Sequence, residues 1–186
     1  MVIQNTVISF EQLVQDFDGL FEHRVFRLET LDYYDAPNEH EPYRRFLAGE
    51  RADLAWREPW KRLVRDVRAS GRTMERVHVV SEPVSDYIRF ELLDVYPANA
   101  DAGEDVRILS RSEAWPSGLD FWLFDDDLAA LLKYDSGGRV SEVRLIEDDM
   151  AVRHHLGAVR TDALNLSVPL GRYVAERNIT ERKQAA

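Results

Sequence analysis

The chain has 186 residues, no cysteine and a formal net charge of −10. Thiolate chemistry, disulfides and Cys-ligated zinc are therefore excluded. Forty-five per cent hydrophobic residues, including four Trp, seven Tyr and eight Phe, supply enough bulk for a core without staples.

The first residues, MVIQNTVISFEQ, lack the basic-then-apolar order of a secretory signal. No apolar run approaches the roughly 20 residues a bilayer needs, so a cytoplasmic location is expected. Ser9 and Gln12 form a capping box, and Phe10, Leu13, Val14 and Phe17 recur at helical spacing, which predicts a helix over 9–17. Asp18-Gly19 ends it. His23–Leu31 reads as a strand in loose alternation, 33–38 as a loop around Pro37, and Glu39–Leu47 as a helix stopped by Gly49.

A longer helix is predicted over Ala52–Ser70, with Trp56, Trp60, Leu63, Val64 and Val67 inward and Gly71 at its end. Its basic residues Arg57, Lys61, Arg65, Arg68 and Arg72 recur three or four apart, mostly on another face. Seven basic residues oppose three acidic ones between Arg57 and Arg76, so the rest of the chain is more acidic than the total implies. That overall negative field opposes non-specific nucleic-acid binding.

Arg76–Val80 is a strand by residue type. Ser85 caps a helix carrying Tyr87, Ile88, Leu92 and Tyr96, with Pro97 limiting it, and Asp105–Ser110 is the next strand. These three segments suit a right-handed parallel βαβ crossover. Pro116–Gly118 turns into Asp120–Phe124, apolar enough for an interior strand. Leu128–Tyr134 is ambiguous between strand and helix, but the turn Asp135–Gly138 and the alternating Val140–Ile146 favour a hairpin. The chain then returns to helix, broken near Gly157 and Pro169, with a frayed tail over 177–186. The expected fold is α+β: one domain over 1–176, a central mixed sheet, an antiparallel meander and flanking helices.

Several segments together carry a family resemblance: FRLET at Phe26–Thr30, FLAGE at Phe46–Glu50, the Trp60–Arg76 helix and turn, SDY at Ser85–Tyr87, AGEDVRIL at Ala102–Leu109 and DFWLFDD at Asp120–Asp126. Over most of Phe10–Tyr173 the chain is similar to an actinobacterial family of unknown function. Members are acidic single-domain proteins often encoded beside helix-turn-helix regulators and very small companions. The resemblance implies a regulatory or partner-binding role and no reaction. The strand–helix–strand unit ending in VRIL, followed by DFWLFDD, also resembles half of a phospholipase-D-like fold. That resemblance implies a His and a Lys on one short strand-borne motif, yet His78 in VHVV has no lysine beside it and Asp120–Asp126 holds neither residue.

The carboxylates Asp125, Asp126 and Asp127 suit a hard cation or, more readily, turns and caps, since on an extended segment only Asp125 and Asp127 share a side. His154-His155 diverge on a helix, and His78 suits a hydrogen-bonded core. No GxSxG, GxGxxG or GxxxxGK[ST] element is present. No catalytic residue, metal ligand or cofactor is therefore assigned. The leading expectation is a non-enzymatic regulatory or protein-interaction module, with Arg57, Lys61, Arg65, Arg68 and Arg72 contacting a protein partner such as a helix-turn-helix regulator. Direct nucleic-acid and membrane binding are disfavoured. The runner-up is a hydrolase or transferase of phosphorylated substrates, with Arg72, Arg76 and Arg107 on phosphate and Asp125 or Asp127 on a metal. The third reading is a small-molecule-sensing domain with an apolar pocket.

Overall fold

A computed structural model describes residues 5–112, 115, 118–147 and 149–179. Among these, eight strands form one mixed sheet: β1 (Asn5–Ile8), β2 (Arg24–Glu29), β3 (Thr73–Val80), β4 (Asp105–Ser110), β5 (Asp120–Phe124), β6 (Leu128–Tyr134), β7 (Val140–Ile146) and β8 (Val168–Pro169). The order is β1-β7-β6-β5-β2-β3-β4-β8. Strands β2, β3 and β4 are parallel neighbours, and the remaining pairings are antiparallel. The expected α+β class, the β3–helix–β4 crossover and the β6–β7 hairpin are all present.

Leu128–Tyr134 is a strand, as the hairpin reading favours; Asp125 and Asp126 adopt positive φ (50° and 65°) and reverse the chain into it. Two differences from the sequence reading have local causes. Pro97 does not end its helix: it opens α5 (Tyr96–Ala102), where a missing N–H is tolerated, and the chain stays helical through a π-turn, Glu91–Val95, from α4 (Asp86–Phe90). Gly157 does not break α6 (Met150–Leu166). The predicted turn at Pro116 and most of the predicted tail lie outside the described residues.

The other helices are α1 (Phe10–Asp16), α2 (His40–Leu47), α3 (Glu58–Ala69) and α7 (Leu170–Glu176). Ser9 caps α1 by accepting from the Gln12 amide at 3.1 Å, and Ser85 caps α4 from Ile88 at 3.1 Å. The sheet is covered on both faces. One face carries Phe26, Leu28, Val77, Val79, Phe121 and Leu123 beneath Leu156 and Ala163 of α6. The opposite face carries two apolar clusters. Trp122, Phe124, Val25 and Met74 meet α1 and α3, while Val80, Val106 and Ile108 meet the α4–α5 helix and α7. Between those clusters lies polar material.

Candidate functional site

Strand alternation places Arg27 and Glu29 of β2 on the same face as Arg76 and His78 of β3. Arg27 pairs in register with Arg76, and Glu29 with His78. Arg27 also lies opposite Trp122 of β5, and Asp120 opposite Leu132 of β6. The result is a row of two buried arginines above a row holding Asp120, Glu29 and His78.

Both guanidiniums meet carboxylates, Arg76 closely and Arg27 more loosely, with Arg27 Nη1 buried and without a hydrogen-bond partner. Arg76 donates Nε–H to Glu104 at 2.8 Å, and its Nη1 lies 2.6 Å from Glu29. Arg27 donates to the Tyr134 hydroxyl at 2.8 Å, with Glu29 and Asp120 each at 3.5 Å. The Trp122 ring sits 5.1 Å and 5.7 Å from the two guanidinium carbons, within cation–π range of both. Burial alone would push the Glu29 carboxyl up; Arg76 and Arg27 outweigh it and hold it well below the usual carboxylate range. Tyr134 is pushed up to about 12, first by burial and against the pull of Arg27.

His78 is fully enclosed. Its Nε2–H donates to the Leu31 carbonyl at 2.8 Å, and its Nδ1 faces the Tyr96 hydroxyl at 2.6 Å. Burial lowers its pKa, so the ring is neutral at pH 7. At the carboxyl end of β2, Asp120 accepts from the Thr30 amide at 3.0 Å, the Thr30 hydroxyl at 2.5 Å and the Tyr34 hydroxyl. Tyr34 Oη in turn accepts the amides of Thr30 and Leu31 at 3.0 and 3.1 Å. In open α/β sheets this is where ligands usually bind. Here the hydroxyls of Tyr34 and Thr30 are bonded to Asp120.

The ladder continues into the helices. Trp60 donates to Glu104 at 3.2 Å, Arg57 donates to Asn99 at 3.0 Å, and Tyr87 donates to Glu39 at 2.6 Å. Glu91 is buried beside them in the π-turn. A shallow hollow of about 220 Å³ near α2, lined by Asn38, Glu41, Pro42, Arg45, Asp53 and Trp56, shares no lining residue with the ladder. Among the described residues no group of three or more His, Asp or Glu is arranged to hold a metal ion.

The residues singled out from sequence are dispersed. On α3, Lys61 and Arg65 both bind Glu58 of their own helix, and Arg68 lies across Gly103. Arg57 is turned inward over Trp56 and Trp60, and Arg72 bridges to Asp18 over the Phe21 ring. Arg76 is in the ladder, whereas Arg107 is on the opposite face, bound to Ser167 and the Leu164 carbonyl. Asp125 accepts the amides of Glu22, His23 and Arg24, Asp126 pairs with Arg24 and Arg160, and Asp127 pairs with Arg153. Arg72, Arg76, Arg107, Asp125 and Asp127 thus share no common space. Sequence reading missed Arg27, Glu29, Asp120, Glu39 and Glu91. The alternation of Arg27 and Glu29 in RVFRLE is the local trace, and it ordinarily marks a solvent face.

The profile of the family described as "Domain of unknown function (DUF6879)" matches residues 10–175, so the chain belongs to that family. No curated protein matches it. The fold is phospholipase-D-like. The Salmonella typhimurium phospholipase D family member Nuc aligns with TM-score 0.55 and 10% identity, over 90% of this chain and 97% of Nuc. NucT from Helicobacter pylori aligns with TM-score 0.50 and 13% identity, over 90% and 99%. TrmBL2, described as an archaeal chromatin protein with a novel mode of DNA binding, aligns with TM-score 0.46 and 8% identity, over 90% and 55%. The partner expectation drawn from net charge does not stand, because a total of −10 does not say how charge is distributed over any one face. Direct nucleic-acid binding is no longer disfavoured, and a helix-turn-helix protein partner is not carried forward. No helix of the described residues is long and apolar enough to cross a membrane.

Proposed function

We propose that this domain is a non-catalytic regulatory module that keeps a phospholipase-D-like frame and uses its polar residues to hold that frame closed. The carrying observation is Asp120. A carboxylate at the carboxyl edge of the sheet would be free to meet a substrate in an enzyme, whereas here Thr30 and Tyr34 occupy it. The buried histidine supports the same reading, since both of its ring nitrogens are engaged within the fold. The nearby arginines are equally committed, each to carboxylates and an aromatic face. A phosphoryl group would have to displace several charge-assisted bonds to reach them.

Purified protein assayed against phosphodiester and phosphomonoester substrates, with and without divalent cations, tests this. The expected outcome is no turnover above buffer, unchanged in Asp120→Asn. Hydrolysis that follows the protein through purification, and that a folded Asp120→Asn variant loses, would overturn it in favour of a hydrolase.

A further inference from the structure

The buried polar seam has more acid than base. Among the described residues, five carboxyls are buried, Glu29, Glu39, Glu91, Glu104 and Asp120, against two arginines, Arg27 and Arg76. The arginines are taken up by Glu29, Glu104 and Asp120. Glu39 and Glu91, 9% and 5% exposed, are left with the half-buried Arg57. Arg57 is itself committed to Asn99 and lies within cation–π range of Trp56 and Trp60.

The helix geometry reinforces this. An α-helix turns about 100° per residue, which would set Glu91 and Asn99 about 80° apart. The extra residue of the π-turn rotates both toward one stripe, facing Arg57. Glu91 Oε1 and Asn99 Nδ2 are buried with no hydrogen-bond partner. Two ionised carboxylates this deep, with one shared cation, are far less favourable than a pair holding a proton.

We propose that Glu39 and Glu91 share a buried proton, and that losing it loosens segment 37–57 from the α4–α5 helix. The charged and titratable groups facing the pair are Arg57 from the turn before α3, Glu29 from β2, Arg76 from β3, Tyr87 from α4 and Tyr96 from α5. Burial pushes both above the usual carboxylate range; Glu39 adds to the rise of Glu91, while the Tyr87 hydrogen bond and Arg57 pull Glu39 back down in part. The segment to be released is anchored on this helix by Phe46 against Phe90 and by Tyr43 against Tyr87 and Phe90. Ionisation sets two negative charges under that anchor. Resting on the regulatory reading, the inference names its input as a proton, so that the latch opens as pH rises.

The test uses the full chain with Glu91→Gln and Glu39→Gln. Infrared difference spectra at neutral pH should show the carbonyl stretch of a protonated carboxylic acid, diminished in either variant. Hydrogen exchange in 37–57 should accelerate roughly tenfold or more between about pH 6 and about pH 9 beyond its intrinsic pH dependence in wild type, and stay flat in Glu91→Gln. Absence of the protonated-acid band in wild type overturns the proposal without needing either variant to fold. Equal acceleration in wild type and a folded Glu91→Gln also overturns it. Phosphoesterase turnover, by contrast, would defeat the regulatory reading while leaving the shared proton intact.

Discussion

The two ends of the buried seam answer protons in opposite senses. At the sheet end, Glu29 sits between Arg27 and Arg76, and these outweigh the cost of burial to depress its pKa. Its contribution to stability is complete above the unfolded carboxylate range, about 4.3, and is lost as pH falls. At the helix end, Glu39 and Glu91 have raised pKa values, so their ionisation erodes stability as pH climbs above that same range. Burial is common to both ends. The chief difference is that Glu29 meets two guanidiniums, whereas Glu91 meets another carboxyl first.

The largest expected effect comes from making the sheet end resemble the helix end. Arg76→Leu removes the shared cation of Glu29 and Glu104, leaving Glu29 with the more distant Arg27 and Glu104 with only the neutral Trp60 donor. Urea denaturation at neutral pH should show a loss of about 3–5 kcal/mol, the scale of a buried pair broken from one side. The loss should shrink on acidification, because protonation then relieves the stranded acids. A loss that is independent of pH would mean the arginine acts through packing against Trp122 and Tyr96 rather than through charge.

A smaller effect belongs to a carboxylate that needs no arginine. Asp125 is held by three backbone amides at the β5–β6 turn; burial opposes its charge, but those amides keep its pKa below the ordinary value. Asp125→Ala should cost about 1–2 kcal/mol in the same titration, since the amides of 22–24 lose their acceptor. Asp125→Asn, which keeps one acceptor oxygen and tolerates positive φ, should cost less. An equal cost for both would place the effect in backbone geometry and not in the acceptor.

How much of this could be read in the chain differs by residue. Asp125 was legible as a turn former because its neighbours are polar and the apolar strand DFWLF stops before it. Ser9 and Ser85 mark their helix starts for local reasons that any window of sequence contains. Arg27 and Glu29 were not legible. In RVFRLE the alternation that normally marks a solvent face is present, but α3 and the α4–α5 helix cover that face. Their burial follows from which helices return to the sheet, a long-range property. Glu91 was hidden for a related reason: a π-turn shifts the helical phase, so spacing counted at 3.6 residues places it wrongly. The basic spacing was visible in the chain, but α3 runs over Glu58–Ala69 and not the expected 52–70, so Arg57 and Arg72 lie beyond it. Its spacing could not reveal that Glu58 would engage Lys61 and Arg65, or that Arg57 would turn inward.

The smallest expected effect completes the comparison, because it concerns arginine–carboxylate pairs in water. Lys61 and Arg65 both meet Glu58 on the exposed side of α3, and these two hydrogen bonds hold the Glu58 carboxyl down to about 2. Such pairs are screened by salt and pay side-chain entropy to persist. Arg65→Ala should therefore leave the urea midpoint indistinguishable from wild type, at low and at high salt, whereas Arg76→Leu should show a large loss at both. A salt-dependent loss in Arg65→Ala would mean that α3 depends on its own charge pairing. In that case the inward residues Trp60, Val64 and Val67 would not by themselves hold the helix on the sheet.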